Sequence, residues 1–131
     1  MKQSLESLPP LSEAQLEIMN VVWDRGQCSV ADVLEVLLQR RQVSRNTVQT
    51  MLIRLEEKGW LASRIEAGSL IFRSPIDRQE AQQHVISKVV DNVFDGSAEG
   101  MVLALLGSGK LDAAELERIR KLIANAKKDK S

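Results

Sequence analysis

The chain has no tyrosine, and its aromatic residues are Trp23, Trp60, Phe72 and Phe94. Its core must therefore be mainly aliphatic. The lone cysteine, Cys28, excludes an intramolecular disulfide and a cysteine-built metal site, and it suits a reducing compartment. His84, the lone histidine, stands on a predicted helix with no Cys, Ser–Asp pair or second ligand beside it. Gly107-Ser108-Gly109-Lys110 lacks the frame of a phosphate-binding loop. No apolar run reaches the roughly 18 residues of a membrane span, and the opening MKQSLESLPP has no apolar signal core. The expectation is a soluble, cytoplasmic protein that is not an enzyme and uses no metal or cofactor.

What is present is enough for a globular core. Hydrophobic residues make up 44% of 131 residues, a length that suits one domain or two very small ones. The net charge is zero, but charge is unevenly spread. From Arg40 to Arg73 seven basic residues face three acids, a local balance of +4. Acids gather earlier, at Glu13, Glu17, Asp24, Asp32 and Glu35. A local basic face on a neutral protein suits nucleic acid held through few phosphate contacts.

The stretch Ser44–Lys58, SRNTVQTMLIRLEEK, carries the most chemistry. Val48, Met51, Leu52 and Leu55 form an apolar helical stripe. Arg45, Asn46, Gln49, Thr50 and Arg54 lie mostly off that stripe and are types that read base edges or grip phosphates. Ser44 is an N-cap and Gly59 a stop. No acid appears before Glu56, so the helix reads as a DNA-recognition helix rather than an ordinary surface helix. A merely polar outer face is the competing reading, and Asn46 also fits a solvated first-turn residue. Thr47 offers a hydroxyl to DNA or, alternatively, to its own helix start. Arg54 is free to read DNA or to pair along the helix with Glu57.

The flanking pattern supports recognition. Residues 1–10 read as a flexible leader. Ser12 caps a first helix whose apolar positions are Leu16, Met19, Val22 and Trp23. Gln27-Cys28-Ser29 is long enough only to pair at a sheet edge. Ser29 caps a second helix that buries Val33, Leu34, Leu37 and Leu38. The Ser44 helix follows after a short turn, a helix-turn-helix arrangement. Residues 60–66 and 70–75 read as two strands about an Ala67-Gly68-Ser69 turn, a wing. Arg64, Ser69 and Arg73 on it are candidates for a neighbouring phosphate or the minor groove, or are plain solvated residues. Trp23 and Trp60 read as core, and Cys28 as a small buried hydrophobe, with a redox-sensing thiol as the alternative.

After Pro75 the pattern changes. Three short helices are predicted, capped at Asp77, Ser97 and Asp112, with Lys127, Lys128 and Lys130 favouring the last C-terminus. Val85, Val89 and Val93 mark the first, and Met101, Val102, Leu105 and Leu106 an all-apolar second. Leu116, Ile119, Leu122 and Ile123 line the third. Some 55 residues so arranged rarely bury enough surface alone. A second copy is the expected cover, making these residues a homodimer interface. Folding back on the first half is the alternative. The fold class expected is mainly α with a small antiparallel β-wing: a winged helix-turn-helix domain over 11–75 and a helical dimerisation domain over 76–131.

The runs Leu11-Ser12-Glu13-Ala14-Gln15-Leu16-Glu17-Ile18-Met19 with Val22-Trp23, and Thr47-Val48-Gln49-Thr50-Met51-Leu52-Ile53-Arg54-Leu55 with Lys58-Gly59-Trp60-Leu61, resemble the penicillinase-repressor family (BlaI/MecI/CopY type). Met101-Val102-Leu103 resembles the opening of its dimerisation core. The resemblance runs from Leu11 to Lys127. It implies a bacterial transcriptional repressor that binds palindromic operators near resistance or stress-response genes as a homodimer. By similarity Arg45, Thr47, Gln49, Thr50 and Arg54 fall where the family contacts DNA. Arg45 and Asn46 stand where members often carry Lys and Pro, so the half-site preferred can differ. The resemblance also implies a regulatory peptidase as a partner, but peptidase-controlled members are cut at an Asn-Phe bond that this chain lacks. The paired C-terminal cysteines of copper-responsive members are absent too. The rival function is a winged helix for protein docking, which needs an exposed apolar patch on the Ser44 helix, with Ile53 the only candidate.

Overall fold

The computed structural model describes residues 5 and 8–129. The chain divides into two compact units, Met1–Val85 and Ile86–Ser131.

The first unit opens with α1 (Glu13–Arg25). Ser12 caps it with a reciprocal pair of bonds to Gln15, which satisfies two otherwise orphaned donors. Gly26 ends it at φ 83°. Strand β1 (Cys28–Ser29) leads into α2 (Val30–Leu38), where Ser29 and Asp32 repeat the capping box. Helix α3 (Arg45–Glu57) is capped by Ser44, whose Oγ accepts from the Thr47 N–H. It ends in a Schellman pattern. Gly59, at φ 94°, donates to the Glu56 carbonyl and Trp60 to the Leu55 carbonyl, turning the chain inward. Trp60 and Leu61 are thereby buried ahead of the strand rather than within it.

Strands β2 (Ala62–Glu66) and β3 (Ser69–Arg73) form the hairpin, and β1 pairs with the free edge of β3. The sheet is antiparallel in the order β1-β3-β2. The connection is the two-residue turn Ala67-Gly68, both at positive φ, the turn type whose twist matches a hairpin. The expected three-residue turn is shortened because Ser69 already pairs with Glu66.

The core joins Ile18, Met19 and Val22 of α1, Val33 and Leu37 of α2, and Val48, Leu52 and Leu55 of α3 to Phe72 and Ile76. No polar side chain is buried among the described residues. Two helices are rotated from the sequence expectation. Leu16 and Leu38 are exposed, while Ile18, Val21 and Val30 are buried. The buried face of α1 takes in Ile18 and Val21 and leaves out Leu16 because α2, α3, β1 and β3 all pack against it. Trp23 and Trp60 pack as expected, each with its indole N–H satisfied by a carbonyl, of Ile76 and Pro9 respectively. The leader expectation falls partly outside the described residues; within them Leu8 is buried in the core. Cys28 is also buried, and desolvation raises its thiol above the ordinary range, as for an inert core residue.

Helix α4 (Arg78–Asn92) begins in the first unit, where Ala81 is buried. The second unit holds the end of α4, then α5 (Ala98–Gly107) and α6 (Ala113–Asp129). Asp95 and Gly96, both at positive φ, end α4; Ser97 caps α5, and Asp112 accepts from the Glu115 N–H at the start of α6. No described side chain of this unit is fully buried, and Val93, Leu103, Leu122 and Ile123 are each more than half exposed. Lys127 and Lys128 lie in the last turn of α6, and Lys130 lies outside the described residues.

Candidate nucleic-acid interface

Helix α3 has two unlike faces because its sequence has two unlike periodicities. Val48, Leu52 and Leu55 are fully buried. Arg45, Asn46, Thr47, Thr50 and Arg54 are exposed, and Gln49 is half-buried at the edge of the stripe. Packing on three buried aliphatics fixes the rotation of the helix, and so fixes which polar side chains face outward.

Two hollows flank the outward ridge. One, of about 260 Å³, is lined by Arg45 and Gln49 with Ser69 of the wing and Val30 and Ala31 at the start of α2. The other, of about 390 Å³, is lined by Asn46, Thr47, Thr50, Met51 and Arg54. Thus Arg45 and Gln49 face the wing, while Asn46, Thr47, Thr50 and Arg54 share the opposite flank. The start of α2 beside Arg45 was not anticipated, since no pattern in the sequence brings residues 30 and 45 together.

The hairpin register places its three candidates on one face. The pairs Ala62–Arg73, Arg64–Ile71 and Glu66–Ser69 alternate with the core-facing Ser63–Phe72. Arg64, Ser69 and Arg73 therefore share the face turned away from Phe72. Arg64 is already engaged. Its guanidinium pairs with Glu66 at 2.7 Å and donates to Gln27 Oε1 at 2.7 Å. Arg73, Arg45 and Arg54 have no ion-pair partner among the described residues, so the alternative pairing of Arg54 with Glu57 does not form.

Tertiary structure also redistributes the charge read from sequence. Glu17 of α1 reaches the turn before α3 and binds Arg41 at 2.7 Å and Arg40 at 3.0 Å. The hydrogen bond from Arg41 holds the Glu17 carboxyl below the usual carboxylate range. With Arg64 paired to Glu66, three of the seven basic groups are thus partly neutralised, and the rest of that positive charge lies on α3, its C-cap Lys58 and β3. At the helix start, Ser44 Oγ donates to Thr47 Oγ1 at 2.9 Å while accepting from the Thr47 N–H. The Thr47 hydroxyl is therefore part of the cap, on an exposed side chain. A second wing anchor is Ser63, whose hydroxyl donates to Glu56 of α3 at 2.6 Å.

None of the large exposed apolar side chains lies on α3, and Ile53 is half-buried. The face is polar and cationic, bordered by a wing, and lacks the apolar patch that protein docking needs. Fold and site together define a winged-helix DNA-binding protein. The penicillinase repressor family model matches residues 11–125, and the chain belongs to that family, one of DNA-binding transcriptional repressors and not of enzymes. It is 26% identical over 126 residues to the penicillinase repressor of Bacillus licheniformis, covering 96% of this chain and 98% of that protein. It is 22% identical over 113 residues to the methicillin resistance regulatory protein MecI of Mammaliicoccus sciuri, covering 86% and 92%. A solution structure of the DNA-binding domain of the repressor BlaI is similar over 61% of this chain and 93% of that one, at 32% identity and a TM-score of 0.51. No helix among the described residues is long and apolar enough to cross a membrane.

Proposed function

We propose that this chain is a cytoplasmic homodimeric repressor that binds a palindromic operator of a resistance or stress-response operon. The carrying observation is the split face of α3: a fully buried Val48, Leu52 and Leu55 set behind an exposed Arg45, Thr47, Thr50 and Arg54. In the major groove Gln49 pairs bidentately with adenine and Arg45 or Arg54 with guanine. The threonines add a hydroxyl and a methyl, and Asn46 a further amide. Ser69 and Arg73 reach the backbone beside the groove, and Arg64 does so once it leaves Glu66.

The homodimer rests on the second unit. A 46-residue unit with no fully buried side chain among its described residues, and with Leu122 and Ile123 mostly exposed, has little core of its own. Its cover is the same surface of a second copy, through Val89, Val93, Met101, Val102, Leu105, Leu106, Leu116, Ile119, Leu122 and Ile123, with Val85 of the first unit added to the interface. Two readers then meet half-sites about one helical turn apart, roughly 34–36 Å. A regulatory peptidase that acts on this chain cuts at a bond other than Asn-Phe.

Fluorescence anisotropy against DNA from the region upstream of its own coding sequence, beside scrambled DNA, tests this reading. Binding at least about a thousandfold tighter to the former, weakening with salt, supports it. Arg45→Ala and Gln49→Ala should each cost about 1–3 kcal/mol and relax preference at one base pair. Equal, weak, salt-insensitive binding to both DNAs would overturn it.

A further inference from the structure

The wing has an apolar anchor and a polar anchor, and both sit on one rung of the hairpin. Phe72 of β3 is fully buried, and its register partner Ser63 of β2 is half-buried. Beyond that rung every residue from 64 to 69 is exposed. In the sheet order β1-β3-β2 the strand β2 is outermost, so one of its edges has no strand beside it. Besides the chain connection through Trp60 and Leu61, a side chain ties β2 to the recognition helix. Ser63 Oγ donates to Glu56 Oε2, in the last turn of α3, at 2.6 Å. A hydroxyl on a carboxylate at that distance belongs to the short, charge-assisted class of hydrogen bonds. The other side-chain link from β2, Arg64 to Gln27, joins exposed groups and leads to the loop before β1, not to α3.

This rung governs the hollow between wing and helix. Gly68, Ser69 and Leu70 form one wall of that hollow, and Arg45 and Gln49 lie on another. The angle between hairpin and α3 therefore sets how far apart they stand. Ser69 is three residues from Phe72, about 10 Å along the strand at about 3.3 Å per residue. A tilt of about 10° about the rung moves it by about 1.7 Å, enough to break a hydrogen bond of about 2.9 Å.

We propose that Ser63 and Glu56 are positioning residues: their hydrogen bond fixes the angle of the wing against α3, so that wing and helix grip the duplex at the same time. This rests on the DNA-binding reading above, and it concerns one protomer on one half-site. Both residues lie in the first unit. Neither meets DNA itself; they act through Ser69 and the cations of the wing.

The test uses the full-length protein and a single half-site duplex that the wild type itself selects from a randomised pool. Ser63→Ala removes the donor and Glu56→Ala the acceptor, while Ser63→Thr and Glu56→Gln keep them. Anisotropy measures affinity. Methylation protection reads the major groove under α3, and hydroxyl-radical cleavage reads the sugars under the wing. Both alanine variants should bind about three- to tenfold more weakly, the size of one lost hydrogen bond. They should lose sugar protection at the wing and keep the major-groove protection. The double alanine variant should bind no more weakly than either single one, because the two side chains act as a unit. Ser63→Thr and Glu56→Gln should stay within about twofold of wild type. Glu56→Ala also removes a negative charge, which alone would strengthen binding to DNA, so its weaker binding reports position and not charge. Wing protection unchanged in both alanine variants overturns the proposal. Parallel loss of both protections does so too, since it marks a merely structural role. A wild type protected under α3 but not under the wing instead overturns the wing contacts read for Arg64, Ser69 and Arg73, and the proposal with them.

Discussion

Leu122→Ala isolates the dimer interface from the fold. Leu122 is 65% exposed in the single chain, so truncating it removes little intramolecular packing. If a second copy covers it, the loss appears on association. Fully burying a leucine side chain is worth about 1.5–3 kcal/mol, so the exposed share corresponds to about 1–2 kcal/mol. Symmetry places two such side chains in each dimer, giving about 2–4 kcal/mol, or a dimer dissociation constant raised about 30- to 1,000-fold. Alanine keeps its Cβ, which favours the lower end. Sedimentation equilibrium over a range of protein concentrations measures the shift directly. Half-site DNA binding by the monomer should stay unchanged, since Leu122 belongs to the second unit and α3 to the first. An unchanged dissociation constant would refute the reasoning and leave Leu122 outside the interface. Parallel loss of helicity at all concentrations would refute it differently, by showing that the side chain supports its own unit.

Three further outcomes follow from the geometry. Arg54→Ala removes a cation with no ion-pair partner among the described residues from each protomer. If Arg54 meets a phosphate, the slope of log K against log salt should become shallower by about 1.8 per dimer, and an unchanged slope would place it elsewhere. Ala67→Gly relieves a side chain held at φ 51° in the wing turn. Relief of about 1 kcal/mol less the entropy that glycine adds leaves a net gain of about 0.5 kcal/mol. The melting temperature of the first unit should rise by about 2–4 °C in a calorimetric scan, and a fall would contradict the turn assignment. Glu17→Gln removes the carboxylate shared by Arg40 and Arg41. Because those partners lower the Glu17 pKa in the folded state, its contribution is complete above the ordinary glutamate range and lost as pH falls through the lowered value. Urea unfolding should therefore show wild type ahead of the variant at neutral pH and level with it in strong acid. A gap that widens toward acid would reverse the sign.

Much of this protein was legible in its sequence because the information was local. Ser12, Ser29, Ser44, Ser97 and Asp112 each accept from a backbone N–H three residues on, as their spacing predicted. The buried stripe of α3 and the exposed ridge opposite it follow from a 3.6-residue period that needs no knowledge of the partner elements. The hairpin followed from alternation and a glycine, and the absence of a core in the closing helices from composition and length.

Only the tertiary structure decided what depends on distant residues meeting. The pairing of β1 with β3 joins Cys28 to Phe72 across the chain. Glu17 reaches Arg40 and Arg41, Gln27 reaches Arg64, and Arg78 reaches Asp24. Each meeting changes which charges remain free for DNA, and sequence spacing alone states none of them. The rotation of α1, with Leu16 out and Ile18 in, was likewise settled by packing against α2, α3, β1 and β3 rather than by its own pattern. Local hydrogen bonds are specified over one helical turn, where the sequence is its own coordinate. Long-range ion pairs and burial are specified only when the hydrophobic core has fixed the elements against one another.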